Sequence, residues 1–225
     1  MPGTVLTVRP QPGLDTTIRS GEALGLTMIG HPLFEVRKLA WASPDPATVD
    51  ALLIGSANAI RHGGEGIESF KSKPVYAVGQ TTADVARDAG FTVATIGTGG
   101  LQNVLDVIPA PKRLLRIAGA DHVDLRPPEG VSIATVIAYE TVPLSLPEDV
   151  RNLEGGDCIV LLHSAAAARQ FDLETARLKL DRSRMRLAVI GPRVEQAAGS
   201  GWHSIHVSQA PSDAALLELA HAMCI

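Results

Sequence analysis

Asp50-Ala-Leu-Leu-Ile-Gly-Ser56-Ala-Asn-Ala-Ile60 and Asp157-Cys-Ile-Val-Leu-Leu-His-Ser164-Ala-Ala-Ala-Ala168 share one plan: an apolar run of strand length, a serine, then a small-residue stretch that opens a helix. A strand covered on both faces of a parallel sheet is a short continuous apolar run, and a serine after it is suited to cap the next helix. The pattern continues one element later. Val75-Tyr-Ala-Val-Gly79-Gln-Thr-Thr-Ala83 leads through a helix to Gly90-Phe91 and a new strand, and Leu187-Ala-Val-Ile-Gly191-Pro-Arg-Val194 leads through a helix to Gly201-Trp202 and another. This internal repeat predicts two similar lobes.

Outward from the repeat, the chain alternates β-branched apolar runs with Ala-rich helical stretches, which is the α/β class with parallel sheets flanked by helices. Strands are expected at Thr4–Val8, Asp50–Ile54, Val75–Val78, Thr92–Ile96, Arg113–Ile117, Ser132–Val136, Cys158–Leu162, Leu187–Ile190 and Ser204–Val207. One large sheet would hold them, but two smaller sheets suit 225 residues better. His31–Leu39 and Ala138–Leu144 carry alternating apolar residues and prolines, so each reads as extended chain. We expect them to cross together as a two-stranded connector, residues 35–39 and 139–142. One lobe is then residues 1–34 plus 143–225 and the other is the insertion 40–138. A paired connector of this kind permits hinge motion about a cleft.

Composition excludes several classes. A net charge of −4 with scattered basic residues offers no footprint for nucleic acid. No run approaches the roughly 20 apolar residues of a membrane span, and the opening MPGTVLTVRPQPGLD lacks the basic flank and apolar stretch of an export signal. A cytoplasmic protein is expected. Cys158 and Cys224 have neither disulfide nor CxxC spacing. No amphipathic heptad run appears, so a monomer is the default.

In open parallel sheets, ligands bind beyond the carboxyl ends of strands, where helix N-termini offer free N–H groups. Those ends hold Arg9, Ser56-Ala57-Asn58, Gly79 with Thr82, Gly119, Ser164, and Gly191 with Arg193. Small polar residues let backbone amides approach an anion, and the same residues equally serve as helix caps and tight turns. Their recurrence in both lobes favours binding. No GxSxG, HExxH or GxxxxGK[ST] motif occurs, and Ile96-Gly-Thr-Gly-Gly100 reads as a turn. His203 and His206 would point to opposite faces of one strand, and Asp121, His122 and Asp124 read as a solvated loop. Chemistry without metal or cofactor is the consistent expectation.

The chain resembles the uroporphyrinogen-III synthases along nearly its whole length. The resemblance is carried by Val8-Arg9-Pro10, Ser56-Ala57-Asn58-Ala59, Val78-Gly79 with Thr82-Ala83, Gly90-Phe91, Leu115-Arg116 with Gly119, Tyr139-Glu140, His163-Ser164 with Phe171, and Ile190-Gly191-Pro192 with Gly201-Trp202. It implies a bilobal enzyme with the active site in the interlobe cleft and Tyr139 as the cleft tyrosine. The implied substrate is hydroxymethylbilane, a linear tetrapyrrole delivered by the preceding deaminase, with which transient contact is conceivable. Gly55, Arg193 and Val194 depart from the family's hydroxyl-bearing positions. Arg193 either pairs with a substrate carboxylate or faces solvent. Two rivals stay open: a bilobal binding protein for a small anion, and an inactive member of the family.

Overall fold

The computed structural model describes residues 4–153 and 158–224; Asp157 of the repeat lies outside the described residues. In chain order come β1 (Thr4–Thr7), α1 (Gly13–Ala23), β2 (Thr27–Gly30), β3 (Phe34–Lys38), β4 (Ala51–Ile54), α2 (Ala57–Arg61), α3 (Gly64–Glu68), β5 (Val75–Val78), α4 (Gln80–Asp88), β6 (Val93–Gly97), α5 (Leu101–Leu105), β7 (Lys112–Gly119) and β8 (Val131–Pro143). They are followed by β9 (Cys158–Leu162), α6 (Ala165–Leu178), β10 (Arg186–Val189), α7 (Pro192–Ala198), β11 (Ser204–Val207) and α8 (Asp213–Met223). The chain divides into two compact units. One takes the N-terminal segment up to residue 35 and the segment from 142 onward; the other is residues 36–141.

The discontinuous unit is built on a parallel sheet in the order β11-β10-β9-β1-β2. Its central strand β9 is buried at every position because both faces of the sheet are covered. Leu6, Val160, Leu162, Leu187 and Val189 pack on one face with Ala168 and Phe171 of α6 and Val194 of α7. The alternate residues Val5, Ile159, Leu161 and Ala188 pack on the other face with Leu216, Leu217 and Ala220 of α8. Phe171 is fully buried and its ring stacks on Trp202 at 5.6 Å, while the Arg182 guanidinium lies over the Trp202 ring. Burying a side chain of that size contributes about 1.5–3 kcal/mol.

The second sheet runs β3-β8-β7-β4-β5-β6. Strands β8, β7, β4, β5 and β6 are mutually parallel. Leu52, Ile54, Val75, Ala77, Leu115 and Ile117 face Ala59 and Ile60 of α2 and Ala83 and Ala86 of α4. Ala51, Leu53, Tyr76 and Leu114 face Val104 and Leu105 of α5. The edge strand β3 runs antiparallel to β8: Leu39 N–H donates to Ala138 O and Leu144 N–H donates to Leu33 O, both at 2.8 Å.

Two strands differ from the sequence reading by more than a residue or two at an end. The run expected to stop at Val136 continues without a break through the extended segment as β8, because β3 on one side and β7 on the other keep its backbone paired. β2 had no expected counterpart. Thr-Met-Ile-Gly is a partly exposed edge strand, so it carries too little apolar pattern to announce itself.

Candidate active site

In the unit of residues 36–141, a cavity of about 290 Å³ opens at the carboxyl ends of β4 and β7, lined by Gly55, Ser56, Arg116, Gly119, His122 and Tyr139 among others. Three residues expected from sequence therefore meet here: Ser56, Gly119 and Tyr139. Their meeting follows from strand order, since β4, β7 and β8 are neighbours. At the end of β7 the register slips between Ala118 and Gly119, so that Gly119 pairs with Tyr139. Ala120 N–H then donates to Tyr139 O at 2.9 Å. The absence of a side chain at Gly119 gives the tyrosine ring its place, because a Cβ there would meet Tyr139 Cε2 at 2.6 Å. On another side the Tyr139 ring faces His62, centroids 6.2 Å apart and planes tilted by 40°. Burial pushes the His62 imidazole below its usual pKa, and Arg61 adds to that.

Ser56 has a local task. Its Oγ accepts from Asn58 N–H at 3.2 Å and caps α2, whose first residue Ala57 is buried. Asn58 Oδ1 accepts from Arg61 at 3.4 Å. Gly79 stands before α4 with φ +77°, a conformation that favours glycine, and its N–H is taken by Gly97 O at 2.9 Å. Thr82 is buried in the first turn of α4. Gly79 and Thr82 follow β5, the strand next to β4, and stand outside the lining of this cavity.

The remaining expected residues lie in the other unit, after the adjacent strands β1, β9 and β10. Arg9 is held in a network: its Nη1 donates to Thr17 Oγ1 at 3.2 Å and pairs with Asp213 at 3.4 Å. Thr17 Oγ1 lies 2.9 and 3.0 Å from the two Asp213 oxygens, and His163 Nε2 lies 2.6 Å from one of them. Burial alone would raise the Asp213 carboxyl, but the bonds from His163 and Thr17 and the Arg9 charge outweigh it, and the group sits below the usual carboxylate range. Ser164 Oγ caps α6 by accepting Ala167 N–H at 3.1 Å. Gly191 precedes α7 with extended φ and takes Val194 N–H on its carbonyl. Arg193 is exposed and makes no bond among the described residues.

Sequence reasoning missed the roles of His163, Asp213 and Arg116. Asp213 lies 196 residues from Thr17 and carries no local signal. Arg116 had one: it is a cation inside the apolar run Leu114-Leu115-Arg116-Ile117. Among the described residues, no three His, Cys, Asp or Glu side chains gather so as to hold a metal, and no helix is long and apolar enough to cross a membrane.

The family model described as uroporphyrinogen-III synthase HemD matches residues 15–218. The chain belongs to the uroporphyrinogen-III synthase family. Among solved structures it is similar to uroporphyrinogen-III synthetase from Helicobacter pylori, at 17% identity and TM-score 0.65 over 98% of this chain and 99% of that one. It is also similar to a mutant uroporphyrinogen III synthase from Thermus thermophilus, at 15% identity and TM-score 0.52 over 98% of each chain. No curated protein sequence matches it. At these identities the structural likeness concerns the synthase fold, two parallel-dominated sheets flanked by helices, and the family model concerns the sequence. In this synthase-family chain the first turn of α7 carries an exposed Arg193 and a buried Val194.

Proposed function

We propose that this chain cyclises hydroxymethylbilane to uroporphyrinogen III, with inversion of ring D and loss of water. The observation that carries the reading is the family match over residues 15–218, joined to a tyrosine seated on a glycine in the cavity at the strand ends. In this reaction the terminal hydroxyl leaves to give an azafulvene, the substituted carbon of ring D attacks it to form a spiro intermediate, and fragmentation and re-closure invert the ring. Pyrrole electrons drive each step, so the protein has to fold the chain, assist departure of the hydroxyl and disfavour simple head-to-tail closure.

Tyr139 is the residue we assign to the leaving hydroxyl. Its phenol donates a hydrogen bond or proton so that the group departs as water. The substrate carboxylates are received by strand-end residues: Ser56, Ala57, Asn58, Gly79, Thr82 and Gly119 in one unit, and Ser164 and Gly191 in the other, with Arg9 and Arg193 adding charge. The exposed, unpaired Arg193 guanidinium supports a carboxylate contact, since its planar fork matches that geometry. Arg9 is already paired with Asp213, so its contribution is smaller. The enzyme acts without a cofactor, as a cytoplasmic monomer that takes its substrate from the preceding deaminase.

The test is a coupled assay in which a deaminase supplies hydroxymethylbilane, this protein is added, and the oxidised products are resolved into the I and III isomers. Predominance of isomer III is expected. Isomer I alone, equal to the control without protein, rejects the activity and leaves the anion-binding reading.

A further inference from the structure

The Arg116 guanidinium lines this site and has no task in the proposed chemistry. Arg116 lies within β7, is 6% exposed, and lines the cavity that holds Gly119 and Tyr139. Its Nη1 donates to the Val123 carbonyl at 2.8 Å, while its buried Nε has no partner. Among the described residues no carboxylate forms an ion pair with it, although Asp124 acts on it electrostatically from farther off. Burying a cation without a counter-charge is costly, and a buried N–H without an acceptor adds to the cost. The single bond to Val123, an exposed residue whose carbonyl water could satisfy, offsets little of that cost. The neighbouring strand residues Leu114, Leu115 and Ile117 fill their places with hydrocarbon.

We infer that Arg116 is a carboxylate subsite that receives one side-chain carboxylate of the tetrapyrrole beside Tyr139. With Nη1 taken by Val123, the Nε and Nη2 edge is the one without a protein acceptor, and a carboxylate seated against it would make the side-on bidentate arrangement for which guanidinium is suited. An acid group anchored there fixes the ring that bears it next to the Tyr139 phenol, so Arg116 contributes orientation as well as affinity. The identity of the ligand rests on the proposed synthase activity; the existence of an anion site does not.

Arg116→Met keeps most of the length of the side chain and removes its charge. In the deaminase-coupled assay its KM rises about tenfold or more, as expected for losing a charge-assisted pair. Its thermal midpoint stays at or above that of the wild type, because replacing an unpaired buried charge by hydrocarbon does not destabilise. A purely structural arginine would give the opposite pair of results. A second arm uses uroporphyrin, a stable tetrapyrrole polycarboxylate, titrated against protein fluorescence. Wild type binds it, Arg116→Met binds it about tenfold or more weakly, and Arg116→Lys, which keeps charge without the planar edge, falls between. If the wild type binds uroporphyrin with this dependence on Arg116 yet makes no isomer III, the synthase reading fails and the carboxylate site stands. Unchanged KM and unchanged uroporphyrin affinity in a folded Arg116→Met overturn the site, as does an Arg116→Met chain that cannot fold. A wild type that neither turns over hydroxymethylbilane nor binds uroporphyrin overturns both.

Discussion

Tyr139 lies across Gly119 so closely that a Cβ on residue 119 would stand 2.6 Å from Tyr139 Cε2. The glycine is therefore part of how the tyrosine is aimed. Gly119→Ala has to move the ring, and a displacement near 1 Å at a reacting group costs up to about a hundredfold in rate. We expect Gly119→Ala to lower kcat for isomer III by about tenfold or more while the protein stays folded. A wild-type rate would separate the glycine from the chemistry, and steady-state kinetics with a thermal melt decide it.

Removing the phenol itself tests the role assigned to Tyr139. Tyr139→Phe keeps the ring and its contact with His62 but cannot donate to the leaving hydroxyl. Because pyrrole electrons do most of the work, turnover should slow by about 10- to 100-fold rather than vanish. Combining it with Gly119→Ala should cost little more than either change alone, since both act through one group. Activity equal to wild type removes Tyr139 from the mechanism.

In the other unit, Asp213 holds His163, Thr17 and Arg9 together. Its folded pKa lies below the ordinary value of 3.8, so it binds its proton less readily folded than unfolded. The sign is that of a depressed carboxyl: the stabilisation is present above the unfolded pKa and is lost as pH falls through the folded one. Asp213→Asn should cost about 1–2 kcal/mol at pH 7 in urea titrations. The gap between variant and wild type should narrow below about pH 4. A gap that does not change with pH would show that the carboxylate charge is not what stabilises.

Glu174 of α6 anchors the segment that follows β8. Its buried Oε2 accepts Leu146 N–H at 2.8 Å and both Arg177 Nε and Nη2, at 2.9 and 2.7 Å, while Arg177 Nη2 also donates to Leu146 O at 2.6 Å. Glu174→Ala leaves the buried Leu146 N–H without its acceptor and takes the carboxylate from Arg177, which keeps Leu146 O. A loss of about 2–4 kcal/mol is expected in denaturant unfolding. Since Glu174, Leu146 and Arg177 all belong to the other unit and are not among the residues that line the Tyr139 cavity, kcat at a temperature where the variant is folded should not change.

Strands β4, β5 and β9 were legible because each is an apolar run followed by Gly or His, and such a run can only be buried when both sheet faces are covered. Val75–Val78, Cys158–Leu162 and Ser204–Val207 agree residue for residue with their expected spans. Ser56 and Ser164 were readable as caps from their place before small-residue helices, and they cap. Local chemistry determined these features, so the sequence alone contained them. β2 was not legible, because an exposed edge strand needs little apolar pattern. Nor was the pairing of Gly119 with Tyr139, which depends on a register slip between parallel strands joined by a long excursion. The network of Arg9 with Asp213 and the solitary burial of Arg116 likewise depend on which segments the sheet order brings side by side. A charge inside an apolar run marks a place to look, but whether it finds a partner there is decided by residues far away in the chain, and only the folded structure brings them near.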